Sequence, residues 1–380
     1  MKFRTRAIHV GNQRDPQTGA VVPPLHLTST FVQPGAGEWG EFDYSRSGNP
    51  TRNNLEQTLA SLEGGVAALA FTSGMSATHC ASMLLGEGDH LLAGTDIYGG
   101  TYRLLEHVVR RSGIGVSLAD STQLEALKRA ITPATKLLWI ETPGNPLMSI
   151  TDVSACAELA HQHGALLAVD NTFATPVLTR PLELGADLVM HSATKYLGGH
   201  SDLLAGALIA GTQELYDRLY FLQNASGAVL SPFESFLLSR GIKTLQLRVR
   251  EQCRTAQKLA DWLSRDARIA RVLYPGLPDH PGHELARSQM QGQFGAMLTF
   301  EVAGDLAKTK RVAEATQLFQ LAVSLGAVES LIEQPATMSH ASYDAIDRET
   351  HGITDSLIRL SVGLEDIEDL QADLDQALDA

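Results

Sequence analysis

The chain is poor in several things, and each scarcity excludes something. Its 380 residues hold three cysteines, Cys80, Cys156 and Cys253, set far apart. No CxxC or Cys/His spacing accompanies them, so neither a disulfide framework nor a metal site is expected. Each falls in a stretch of helical pattern, where a thiol serves as a small buried apolar group. An odd, widely spaced set of thiols implies a reducing compartment, and a cytoplasmic protein is expected. Basic residues are outnumbered by acidic ones, 30 to 43, for a net charge of −13. That balance argues against nucleic acid or an anionic membrane as the main partner. Any anionic ligand must then be held locally by cations, backbone N–H groups and hydroxyls. No run of about 18 apolar residues exists, so no membrane span is expected. The opening stretch MKFRTRAIHVGNQRDPQTGAVVPP carries no apolar core of signal length.

What is present is an alternation. Residues 1–45, rich in Gly, Pro and Gln, lack a long periodic run and read as an extended arm, expected to pack on a neighbouring subunit. From Pro50 the pattern becomes regular. Leu55, Leu59 and Leu62 mark one helix face, and Gly64-Gly65 stops it. Short apolar runs follow, VAALAF, HLLAG, IGVSLA, KLLWIE, ALLAVDN, ADLVMH and LAGALIA, most of them separated by amphipathic helical stretches. Ser121 and Asp152 are placed to cap two of those helices. The pattern is that of an α/β fold with a mainly parallel sheet over residues 46–240, followed by a smaller α+β domain over 241–380. In such sheets ligands sit at the carboxyl ends of strands.

Three features fall at such ends. The TSGMSA turn around Gly74 joins a strand to a helix start and suits a phosphate, although a tight structural turn reads the same way. Asp170 ends a buried strand and needs a partner. It is either a hydrogen-bonded structural carboxylate or the counter-charge of a protonated ring nitrogen. Lys195, in SATKYLGGHSD, is flanked by Ser192 and Thr194. A lone strand-end lysine is usually a solvated charge. Together with the phosphate turn and the acid, it fits a lysine that bonds the aldehyde of pyridoxal phosphate (PLP). No GxGxxG follows the first strand, which counts against a dinucleotide site.

The motifs DYSRSGNPTRNNLE, YGGTYR, ETPGNPL, VDNTF, SATKYLGGHSD and LIRLSVGLED, in this order along the chain, resemble those of the trans-sulfuration enzymes among fold-type I PLP proteins. The resemblance runs from about residue 5 to the C-terminus and implies a PLP cofactor, an amino-acid substrate and a homotetramer with shared active sites. It implies that Lys195 carries the cofactor and moves protons, that Asp170 keeps the ring nitrogen protonated, and that Tyr98 stacks on the ring. Gly74, Met75, Ser192 and Thr194 would hold the phosphate, joined by Tyr44 and Arg46 of a neighbouring subunit. Asn145 and Arg359 would take the substrate carboxylate, with Arg103, Glu329 and Ser330 as further substrate residues. Tyr44 could equally be a packing aromatic, Arg103 a helix-surface charge and Glu329 a solvated loop charge; His200 reads as structural.

Within the family, the loop SLGAVESLIEQPATMSHAS, with Val328-Glu329-Ser330, resembles that of the γ-acting members. Gly100 stands where methionine lyases carry cysteine, which argues against that activity. The expected reaction is α,γ-elimination of cystathionine, with γ-replacement on an O-acylhomoserine as the alternative and a non-catalytic fold relative as a distant one. Two departures from the family pattern stand out. Gly144 replaces a common Thr or Ser and is expected to loosen the loop that holds Asn145. Gly199 replaces a frequent Asn, with little expected consequence.

Overall fold

In the computed structural model the described residues are 1–341, 348 and 352–380; the last residue of the SLGAVESLIEQPATMSHAS stretch, Ser342, lies outside them. The apolar runs form seven strands: β1 (Ala67–Phe71), β2 (His90–Gly94), β3 (Gly115–Ala119), β4 (Thr135–Glu141), β5 (Leu166–Asp170), β6 (Leu188–His191) and β7 (Gly206–Ala210). Their order across the sheet is β1-β7-β6-β5-β4-β2-β3. Only β7 runs against its neighbours, pairing antiparallel with β1 and β6. The mainly parallel expectation therefore holds. β2, β6 and β7 are buried along their whole length, which is why they read as continuous apolar runs rather than as alternation.

Helices cover both faces. The helix α2 (Pro50–Glu63), after α1 (Phe3–His9), begins at Asn49, whose side chain accepts from the N–H groups of Thr51 and Arg52. It ends at Gly64, whose φ of 80° only glycine adopts without strain. Asp152 caps the Val153–Gln162 helix by accepting from Ala155 N–H, as expected. Ser121 does not cap. The Leu124–Ala130 helix starts three residues later, and the Ser121 hydroxyl pairs with Thr151 Oγ1 at 2.8 Å. The helical stretch from Gly99 breaks at Val108 into Gly99–His107 and a short 3₁₀ turn.

The arm is not wholly extended. α1 docks on α2 with Ala7 buried, and Thr58 Oγ1 donates to Val10 O at 2.7 Å. Seven residues are too short for the periodicity to register. Between His9 and Pro50 the described residues hold no helix.

After the Leu245–Leu263 helix the chain builds a second sheet of five strands: β8 (Ile269–Leu273), β9 (Met297–Val302), β10 (Gln320–Leu321), β11 (Leu331–Glu333) and β12 (Leu357–Ser361), in the order β10-β11-β12-β9-β8. Helices Gln213–Ser226 and Pro232–Ile242, which sequence patterning passed over, lie between the two sheets in the chain. Among the described residues no helix is long and apolar enough to cross a membrane.

All three thiols are buried on helices, and burial pushes each up to about 12. The thiolate is the reactive form. Ellman's reagent should therefore leave the native protein untouched and titrate three thiols per chain in guanidinium chloride. Rapid reaction in the native state would show that a helix carrying one of them opens.

Candidate active site

β1, β4, β5 and β6 point the same way, so their carboxyl ends share one edge of the large sheet. The segment after β10 and the strand β12 close over that edge, leaving a cavity of about 210 Å³. Lys195 reaches it from the turn after β6, a turn fixed by Lys195 N–H donating to Ser192 O at 3.1 Å and Gly199 N–H to Lys195 O at 2.8 Å. Its Nζ donates to Ser324 Oγ at 3.0 Å. Burial disfavours the ammonium, the nearby Arg359 cation disfavours it further, and Glu333 opposes them; the amine is brought down to about 8.

Two carboxyls stand side by side in the same cavity. Asp170 ends β5, and its Oδ1 accepts from Thr172 N–H at 3.0 Å. Burial raises it above the ordinary carboxylate range. Glu141 ends β4 as its direct register partner and accepts from Tyr98 N–H at 2.8 Å. Burial first, and the neighbouring Asp170 second, push Glu141 well above that range. Sequence reading missed Glu141, although it ends its buried strand just as Asp170 does and opens the ETPGNPL motif. Its acceptor bond sets the start of α4 (Gly99–His107), which Tyr98 precedes. Tyr98 lines the cavity.

At the other end lies the turn into α3 (Gly74–Ser82). Ser73 caps that helix by accepting from Ser76 N–H at 3.1 Å. A Cβ on Gly74 would sit 2.9 Å from that of Ser192, so only glycine lets the two segments approach. Gly74, Met75, Ser192 and Thr194 all line the cavity. Thr194 Oγ1 donates to Ala205 O at 3.1 Å and accepts from Ala205 N–H at 2.9 Å.

Arg359 enters from β12. It is nearly inaccessible, and its Nη1 meets Asn145 Oδ1 at 2.8 Å and Glu333 Oε1 at 3.1 Å, while Nη2 donates to Ser324 O at 3.1 Å. Glu333 is its register partner on β11. Asn145 is tied down firmly. The buried Asp96 carboxylate accepts from Leu147 N–H at 3.3 Å and from Ser149 N–H at 3.2 Å and Oγ at 2.5 Å. A Cβ at Gly144 would run into Asp96 and Ser149. The expected loosening at Gly144 is thus corrected: the small residue lets the carboxylate close against the loop. Gly199 is likewise not inconsequential. Its φ is 75°, and a Cβ there would strike Arg248, whose guanidinium holds Tyr196 O at 2.8 Å and Gly241 O at 2.9 Å.

The remaining candidates lie away from this cavity. Tyr44 is exposed, with the Arg46 guanidinium 5.7 Å from its ring centre, and Arg46 Nη1 donates to Asn224 O at 2.7 Å. Arg103 is exposed on α4, and Glu329 is exposed with Ser201 Oγ at 3.4 Å. Ser330 is buried and committed, its hydroxyl donating to Glu365 at 2.8 Å and accepting from Gly363 N–H at 2.8 Å. His200 Nδ1 bonds Gly198 O at 2.9 Å, a local contact. Among the described residues no cluster of metal-ligand side chains occurs.

An amine, a carboxyl facing it across a narrow cavity and a helix start with hydroxyls form one constellation, and comparison with known proteins decides what it is. The family model described as "Cys/Met metabolism PLP-dependent enzyme" matches residues 4–379. The chain belongs to that family. It is 49% identical over 376 residues to a cystathionine beta-lyase of Coxiella burnetii, covering 98% of this chain and 97% of that one. It is also 49% identical to a cystathionine gamma-lyase of Bos taurus, over 100% and 94% of the two chains. A cystathionine gamma-synthase of Mycobacterium bovis is 49% identical over 98% and 96%. The crystal structure of a cystathionine gamma-lyase from Lactobacillus plantarum complexed with L-serine superposes with a TM-score of 0.97 at 44% identity, covering 100% and 99%. The fold is therefore fold-type I, the cofactor is PLP, and the chain is a trans-sulfuration enzyme. The donor set suits that cofactor: a depressed amine for an aldehyde, the Asp170 carboxyl for a ring nitrogen, and the α3 start for a phosphate.

Capture of an aldehyde needs the neutral amine. For cofactor-free protein mixed with PLP, the rate of capture should rise through about pH 8 and then level off. A rate still climbing at pH 10.5, the ordinary lysine value, would show that burial does not tune this amine.

Proposed function

We propose that the protein is a cystathionine γ-lyase, converting L-cystathionine and water to cysteine, 2-oxobutanoate and ammonia. The reading rests chiefly on Lys195, an amine held near neutrality in the same cavity as the Arg359 cation. When bound, PLP supplies an electron sink for the substrate Cα. The rest is the work of the chain. Arg359, with Asn145, receives the α-carboxylate, a task suited to a planar fork of donors. Loss of a γ substituent requires proton removal at Cα and then at Cβ. A single neutral amine tethered by one hydroxyl can serve both carbons in turn, and Lys195 is such a base. Tyr98, at the start of α4, lines the cavity, where it would stack on the ring and offer a second acid or base. Asp170 would accept a hydrogen bond from the ring nitrogen and keep it protonated.

Gly100, packed against Tyr98 and Met75 of the cavity wall, supports elimination from cystathionine over demethiolation. A Cβ at Gly100 would overlap the Tyr98 ring. A cysteine there requires the ring to move.

We further infer that residues 1–45 form an arm that reaches a neighbouring subunit of a homotetramer, where Tyr44 and Arg46 meet that subunit's cofactor phosphate. Support comes from the exposure of Val21, Val32, Trp39 and Tyr44 and from the distance of Tyr44 and Arg46 from their own cavity. The unpaired buried thiols support a cytoplasmic setting.

Product analysis checks the activity. With cystathionine, cysteine and 2-oxobutanoate should accumulate, and Lys195→Ala should lower kcat by at least about a thousandfold with the fold intact. Homocysteine and pyruvate as main products would make it a β-lyase, and faster condensation of an O-acylhomoserine with cysteine would make it a synthase. Subunit sharing has its own test. Mixing unfolded Arg46→Ala and Lys195→Ala chains and refolding them together should recover activity that neither variant has alone. Failure to complement would place each site within one chain.

A further inference from the structure

Arg359 carries a resident anion. Glu333 lies opposite it in the β11–β12 register, both side chains are almost wholly inaccessible, and the ion pair measures 3.1 Å. Glu333 is itself placed from behind, since its Oε1 accepts from Ser339 Oγ at 2.6 Å, and Ser339 Oγ lies 2.9 Å from His340 Nδ1. The Nε of Arg359 and the Oε2 of Glu333 have no hydrogen-bond partner among the described residues. The guanidinium therefore reaches the cavity with its charge already answered, yet with donor capacity left.

We propose that Glu333 is a positioning residue of the carboxylate clamp, fixing the Arg359 fork through Ser339 and cancelling part of its charge. This rests on the reading of Arg359 as the group that receives the substrate carboxylate. A bare buried guanidinium would hold any carboxylate tightly, product as well as substrate. A paired one trades affinity for a fork held in place. The same pair acts on Lys195 with opposite signs, Arg359 lowering its basicity and Glu333 raising it. The other titratable groups around that amine are Asp170, Glu141, Tyr98 and His340. Burial, ahead of Arg359, brings His340 down to about 4 and keeps it neutral.

Glu333→Gln keeps an acceptor for Arg359 and removes the charge. Two measurements read the result. The first is the dissociation constant of L-norvaline, which has no leaving group, for the holoenzyme, followed by cofactor absorbance. The second is the pH midpoint of PLP capture by the cofactor-free protein. Glu333→Gln should bind norvaline roughly tenfold more tightly, as expected for one charge removed beside a buried guanidinium, and its midpoint should fall below that of the wild type. A merely structural Glu333 would leave the midpoint where it is, and an unmoved midpoint or weaker norvaline binding overturns the proposal. Should Glu333→Gln not fold, Glu333→Asp keeps the charge and shifts its position: norvaline binding should weaken while the midpoint stays near 8, and the reverse pattern overturns the proposal. Arg359→Gln separates the premise from the proposal. It should weaken norvaline binding at least about a hundredfold, which is ~2.7 kcal/mol. If it does not, the clamp reading itself fails.

Discussion

Desolvation of charge governs this site. Half-buried Lys195 and buried Asp170, Glu141 and Arg359 line one cavity of about 210 Å³, with buried Glu333 paired to Arg359. A charge taken out of water is costly unless it is paired. Burial, with one hydroxyl and no carboxylate against Nζ among the described residues, lets the Lys195 amine become neutral at a lower pH than a surface lysine would. That single consequence is what the proposed role of Lys195 as base and nucleophile requires.

The scaffold produces the crowding by topology. Parallel strands deliver their carboxyl ends to one edge, and the register of β4 with β5 brings Glu141 beside Asp170. A small residue lets backbone approach where it must. Gly74 admits Ser192 to the start of α3, and Gly144 admits the Asp96 carboxylate to the loop carrying Asn145. The site is thus positioned by rigid elements, with its loops pinned by buried carboxylates and caps.

Much of this was legible in the chain. Continuous apolar runs identified the large sheet because strands covered on both faces have no polar side to show. Asp170 and Lys195 were visible because a charge at the end of such a run is costly without a reason. Glu141 satisfied the same rule and was overlooked because it opens a Pro- and Gly-rich loop, where a carboxylate also serves as a turn residue. Glu333 was invisible for a different reason: its meaning lies in a cross-strand pairing with Arg359, twenty-six positions away, and no local pattern records an antiparallel register. Gly144 was misjudged because a glycine read alone implies freedom. The packing of Asp96 gives it the opposite sense. Helix α1 escaped because seven residues, with Phe3 and Ala7 turned to the core, are too short to show a period.

The two ends of the cavity answer buried charge in different ways. Near β4 and β5, two buried carboxyls lie together, and burial raises both above the ordinary carboxylate range, Glu141 the further because Asp170 is beside it. Near β11 and β12, Arg359 cannot shed its proton, so the only solution is a fixed counter-ion, Glu333. A base of intermediate strength placed between these ends feels a cation and an anion of opposite effect, and burial is the largest influence on its proton affinity. Such a base can take a proton from one carbon and return it to another without a large change in the surrounding field. Successive transfers along one substrate, as elimination beyond Cβ demands, require that reversibility.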